Sequence, residues 1–99
     1  MIRASWHPLA KRELFGALDF YQKRAEGLDE AFLDIIEAVV RRIRRHPRAG
    51  VSVFPNIRRV SVSTFPYSVV YRIEEERVFI LAIAHEKRRP LYWARRARD

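Results

Sequence analysis

The chain has 99 residues, with twenty Lys and Arg against twelve Asp and Glu, a formal net charge of +8 and no cysteine. That length accommodates one hydrophobic core, which a 48% hydrophobic content can fill, so a single domain over residues 1–99 is expected. Without cysteine there is no disulfide, thiolate zinc site, iron–sulfur cluster or cysteine nucleophile. No apolar run approaches the roughly 20 residues that cross a bilayer. Residues 1–8 lack the apolar stretch of a secretory signal. No membrane contact and a cytoplasmic location are the expectations.

Ile2, Ala4 and Trp6 alternate with Arg3 and Ser5, the period of a short strand over residues 1–6. Pro8 suits the first turn of a helix, where its missing N–H has no partner to lose. Ala10, Leu14, Ala17, Leu18 and Tyr21 then recur at spacings of three and four as one apolar stripe, and Gly27 ends the pattern. Asp29 reads as the N-cap of a second helix whose apolar face is Phe32, Ile35, Ile36, Val39, Val40 and Ile43. Its acids (Asp29, Glu30, Asp34) gather near the start and its arginines (Arg41, Arg42, Arg44, Arg45) near the end, matching the helix dipole. His46-Pro47 stops it. So short a connection makes the two helices an antiparallel hairpin.

Period two returns over residues 58–64 and again over 67–73, where Tyr67, Val69, Tyr71 and Ile73 share a face. Glu74-Glu75-Glu76 is an acidic turn, and residues 78–84 are almost wholly apolar, as a central strand should be. Three consecutive strands form an antiparallel meander, which the first strand joins and the helical hairpin covers on one face. The expected fold class is α+β, in the order β-α-α-β-β-β. Residues 85–99 form a basic, aromatic tail whose periodicity defines no element.

The charge is lopsided. Residues 1–40 hold five basic and seven acidic groups, a balance of −2, whereas residues 41–99 hold fifteen and five, a balance of +10. Seventeen of the twenty cations are arginine, whose planar fork pairs bidentately with phosphate or carboxylate. An acidic or polyanionic partner accounts for this excess, and so does a solvated basic face. Within the tail, Arg88 and Arg89 adjoin Tyr92 and Trp93, a mixture able to grip phosphates and stack on bases. For Tyr92 and Trp93, packing over a sheet edge is the better account, whereas Arg88 and Arg89 lean toward a binding role. Arg58 and Arg59 open a strand facing the same region, in either role. The run from Arg41 to Arg48 is accounted for by a capped helix end.

Chemistry is otherwise sparse. The three histidines lie far apart with no thiolate companions, so no metal site is expected. His7 serves the start of the first helix, while His85, after the apolar strand, is placed to titrate near neutral pH and shuttle a proton. No glycine-rich phosphate loop, serine elbow or paired carboxylates appear, and no cofactor is implied.

Trp6-His7-Pro8-Leu9-Ala10, Gly27-Leu28 running into Phe32-Leu33, and His46-Pro47 form an ordered string with later motifs. These are Arg58-Arg59, Phe65-Pro66-Tyr67-Ser68-Val69-Val70-Tyr71-Arg72, Ile80-Leu81-Ala82-Ile83-Ala84-His85 and Arg89-Pro90-Leu91-Tyr92-Trp93. Together they resemble the RelE/ParE superfamily over nearly the whole chain, most of all its ParE-like, plasmid-stabilisation members. The resemblance implies the toxin of a bacterial type II toxin–antitoxin module, held silent by a cognate antitoxin protein. It also implies a helical hairpin on an antiparallel sheet.

Two activities occur in that superfamily. RelE-like members cut mRNA on the ribosome without a metal, using Arg and Lys side chains helped by a Tyr or His. ParE-like members inhibit DNA gyrase and trap it on DNA. Against the nuclease pattern, Arg59 and Tyr92 match, but Ser61 and Ser68 stand where family cations lie, and Glu86 replaces a third that Arg88 or Arg89 would have to supply. Losing those cations removes electrostatic stabilisation that cleavage needs. The expected function is therefore a non-enzymatic gyrase inhibitor contacting gyrase or gyrase–DNA through Arg58, Arg59, His85, Arg88, Arg89, Tyr92 and Trp93. The alternative is a ribosome-dependent endoribonuclease with Arg59, His85, Arg88 and Tyr92 as catalytic residues. A third reading is a non-toxic relative that only binds partners.

Overall fold

A computed structural model describing residues 1–99 begins its first strand, β1, at Arg3–Trp6, where the apolar alternation lies. Helix α1 (Pro8–Arg24) starts at the expected proline, and His7 caps it through Nδ1, which accepts the Leu9 N–H at 3.1 Å. The stripe is buried as its spacing demands at Ala10, Leu14, Ala17 and Tyr21. Helix α2 (Leu28–Arg45) follows after three residues and buries Phe32, Ile36 and Ile43. Its N-cap is Gly27 at φ 79 and not Asp29, which lies in the first turn beside Glu30. The left-handed glycine closes the interhelical turn in fewer residues than a side-chain cap would need, and Asp29 still meets the positive end of the helix dipole.

Four strands follow where three were expected: β2 (Val51–Phe54), β3 (Ile57–Ser61), β4 (Tyr67–Ile73) and β5 (Arg77–His85). The order is thus β-α-α-β-β-β-β. The additional strand, β2, has four residues and reverses into β3 through Pro55 and Asn56, the latter at φ 65. It is a largely exposed edge strand bracketed by Gly50 and Pro55, turn formers that make so short a run read as loop. β3 correspondingly ends at Ser61, short of the expected boundary.

The five strands form one sheet in the order β1-β5-β4-β3-β2. β1 runs parallel to β5 and all other pairs are antiparallel, so the sheet is mixed and not wholly antiparallel. The helical hairpin carries the chain to the far edge, and the meander then walks back until β5 lies against β1. No helix is long and apolar enough to cross a membrane.

Both faces of this sheet are covered. The helices pack on Val69, Tyr71, Val78, Ile80 and Ile83. The tail packs on Ile57, Val70, Phe79, Leu81 and Ala82, with Trp93 sealed among them at 4% exposure. A bulge makes that division possible. Val70 pairs with Ala82 and Tyr71 with Ile80, leaving Leu81 as the extra residue. Leu81 and Ala82 therefore join the same face, and every residue after them changes sides relative to simple alternation. The tail itself turns back through a short 3-10 segment, Ala94–Arg98. Arg72 fastens its end, donating to the carbonyls of Ala97 at 2.5 Å and Asp99 at 3.1 Å. The Asp99 side chain meets His7 Nε2.

One glycine is fixed by close approach. A Cβ on Gly50 would sit 2.6 Å from the Tyr71 hydroxyl and 2.9 Å from the Arg59 carbonyl. That hydroxyl donates to the Pro47 carbonyl at 2.6 Å, tying the turn after α2 to the middle of the sheet.

Glu74, at the end of β4, accepts from Arg77 Nε at 2.5 Å and Arg72 Nε at 2.9 Å. The Arg77 hydrogen bond, against an opposing push from burial and with help from Arg72, holds its carboxyl below the ordinary value of 4.5. A depressed carboxylate contributes stability above its unfolded value and loses it as pH falls through the lower folded value. Glu74→Gln should therefore cost on the order of 1 kcal/mol at neutral pH. In thermal melts, the gap between variant and parent should close in acid, once the parent carboxyl is also protonated.

Candidate functional site

Arginines 58 and 59 are neighbours on β3 and so project to opposite faces. Arg58 turns back toward the α2–β2 connection, donating from Nη1 to the carbonyls of Gly50 at 2.7 Å and Arg48 at 3.0 Å. Arg59, opposite Val70, is exposed on the tail face. There it lines an open cleft of about 370 Å3 together with Ser68, His85, Arg88, Arg89 and Tyr92. The structure thus gathers Arg59, His85, Arg88, Arg89 and Tyr92, with Trp93 forming the buried floor. It leaves Arg58 outside.

The bulge at Leu81 sets the aim of His85. His85 pairs directly with Tyr67, on the helix-facing side, and their rings meet edge to face at 4.9 Å and 80°. From the rim it also lines a second cleft, of about 380 Å3, beneath Phe20, Tyr21 and Tyr67. Its Nδ1 accepts the Lys87 N–H at 3.0 Å. That contact occupies the Nδ1 lone pair.

The Tyr92 hydroxyl is likewise committed. It donates to Glu13 Oε2 at 2.7 Å. Burial foremost, and then the hydrogen bond and charge of Glu13, push the phenol above its ordinary range. Tyr92 thus remains protonated at any physiological pH. The Arg88 guanidinium lies 3.8 Å from the centre of the Tyr92 ring, a cation–π contact, with its head half in water. Arg89 is fully at the surface.

Glu13 was not legible as a site residue in the sequence. It looks like one more solvated acid off the apolar stripe of α1, and nothing local marks it. In the fold it is only 16% exposed, and both its oxygens are taken by Arg96, at 2.8 and 2.9 Å. Arg96, too, is indistinguishable in sequence from the other tail arginines.

A separate apolar groove of about 680 Å3 runs between α1 and α2. Trp6, Leu14, Phe15, Leu33, Ile36 and Val40 line it, and Lys11, Arg41, Arg44 and Glu37 stand at its rim. Phe15 is 61% exposed, a large apolar side chain left open to water.

A helical hairpin on a mixed five-stranded sheet, with cations along the opposite rim, defines the RelE/ParE-like α+β class. By sequence, the chain belongs to the family described as ParE toxin of type II toxin-antitoxin system, parDE, whose profile matches residues 4–90. It is 31% identical over 85 residues to Toxin ParE2 of Mycobacterium tuberculosis, from both strain CDC 1551 / Oshkosh and strain ATCC 25618 / H37Rv. That alignment spans 85% of this chain and 81% of the relative. The fold is shared with a chain of the chromosomal ParDE toxin–antitoxin system from P. aeruginosa, at TM-score 0.69 and 22% identity, covering 86% of this chain and 96% of that one. It is shared also with the isolated E. coli RelE toxin, at TM-score 0.58 and 16% identity, covering 99% and 98%.

The two neighbouring arginines should separate in a stability measurement. Arg58→Ala removes both bonds to the α2–β2 connection and should cost about 1–3 kcal/mol in denaturant unfolding. Arg59→Ala, exposed and without a hydrogen-bond partner, should stay within about 0.5 kcal/mol of the parent.

Proposed function

We propose that the chain is a cytoplasmic inhibitor of DNA gyrase, acting through the cationic cleft and silenced by a cognate antitoxin seated on the helical hairpin. One observation carries the choice of gyrase over mRNA. Metal-free RNA cleavage needs a base to take the 2′-hydroxyl proton and an acid to protonate the leaving oxygen. The two groups available are both engaged: the His85 lone pair accepts from Lys87, and the Tyr92 proton is held by Glu13. Where the superfamily resemblance implies cations that would stabilise the transition state, this chain has Ser61 and Ser68. Arg59, Arg88 and Arg89 can bind an anionic surface without any proton transfer.

For the antitoxin, the groove between α1 and α2 supplies apolar area, and Lys11, Arg41 and Arg44 supply a basic rim. An amphipathic helix with acidic flanks fits both features.

The test induces the chain in bacteria lacking the antitoxin and follows DNA and protein synthesis in parallel. DNA synthesis should fail first, and purified protein should block gyrase supercoiling. Joint replacement Arg88→Ala and Arg89→Ala should weaken that block about tenfold or more while leaving antitoxin affinity nearly unchanged. Protein synthesis failing first, with cleaved transcripts, would instead establish the ribosome-dependent nuclease. Harmless induction would establish a partner-binding relative without toxicity.

A further inference from the structure

β5 outruns its neighbour. β1 accompanies it only as far as Ile80, after which the bulge at Leu81 and the residues beyond it have no strand on that side. Unpaired edge groups are costly inside a fold, and here two charged side chains meet them. The Ile83 N–H donates to Glu13 Oε1 at 3.1 Å, and Arg96 Nη1 donates to the Leu81 carbonyl at 3.0 Å. Glu13 and Arg96 then bind each other bidentately at 2.8 and 2.9 Å. The Tyr92 hydroxyl joins the same carboxylate. Stacked on Tyr92 is Arg88, which itself comes within 4.0 Å of Glu13.

We propose that Glu13 is a positioning residue for the target-binding arm: by holding Arg96 and Tyr92 it fixes where Arg88 points. This rests on the reading that Arg88 faces the target. Three features favour that role over simple edge-capping. The carboxylate offers two oxygens to four donors, three of them from the tail. Arg96, with 12% exposure, would be left as an uncompensated buried cation without it. An arginine that must be ordered on binding also costs affinity, and a preorganised one does not.

The experiment uses Glu13→Gln and, from the tail side, Arg96→Gln, so that a folding defect in one does not decide the matter. Trypsin should cleave the folded variants among the tail arginines at least tenfold faster than the parent. Supercoiling inhibition should weaken about tenfold. The decisive reading is the double-mutant cycle. Arg88→Ala should cause little further loss in the Glu13→Gln background, whereas Arg59→Ala should add its full effect. Independent, additive losses from Glu13 and Arg88 would overturn the proposal, as would unchanged inhibition from a variant whose tail is released. The same cycle read as growth arrest does not presuppose gyrase. A parent chain that arrests growth without inhibiting gyrase unseats the gyrase reading and leaves Glu13 to be judged by the cycle. A parent that arrests nothing overturns both.

Discussion

β5 has no polar face. Val78 through Ile83 are all buried, so the strand must be covered from both sides, and most of the molecule follows from that requirement. The helical hairpin covers one side. On the other the only chain left is the tail, which must double back. Ordering a residue costs about 1–2 kcal/mol of backbone entropy, and burying one large aromatic such as Trp93 contributes roughly 3. Trp93 by itself therefore cannot hold residues 91–99 in place. Tyr92 and Ala97 add partial burial against the same cluster, and polar fastenings hold both ends of the tail.

Those fastenings are few and specific. Glu13 takes Tyr92 and Arg96, Arg72 takes the carbonyls of Ala97 and Asp99, and His7 meets the Asp99 side chain. Nine of the twelve acids are exposed, whereas Glu13, Asp29 and Glu74 are partly buried. Glu13 and Glu74 are each matched to two arginines in partly buried geometry, where a charged hydrogen bond has more effect than a solvated pair. The exposed arginines are left with no comparable partner, and three of them, Arg59, Arg88 and Arg89, meet at the cleft.

The two surfaces that result are chemically different and lie on different layers. The groove between α1 and α2 is apolar with a basic edge, and the cleft at the end of the sheet is cationic with an aromatic floor. α1 carries Leu14 and Phe15 toward the groove, while its Glu13 reaches Tyr92 and Arg96 of the tail. The separation of the two surfaces lets a substitution on one leave the other undisturbed.

Much of this was written in local patterns. The stripe Ala10 to Tyr21, the face Phe32 to Ile43 and the run Val78 to Ala84 marked two helices and the central strand, because burial imposes a period that composition preserves. The motif string from Trp6 to Trp93 carried the family. β2 escaped because Gly50 and Pro55 bracket an exposed edge segment with turn formers. The parallel pairing of β1 escaped because strand direction depends on where the helices return the chain. The cleft was half legible: residue types marked a cationic, aromatic stretch, but Arg58 and Arg59 looked alike until the pleat sent them to opposite faces. The aim of His85 depended on a one-residue bulge, and the role of Glu13 on partners some seventy to eighty positions away. Periodicity reports what a side chain must avoid, namely water. Which partner it finds is a matter of contacts between residues distant in the chain, and no local pattern encodes those.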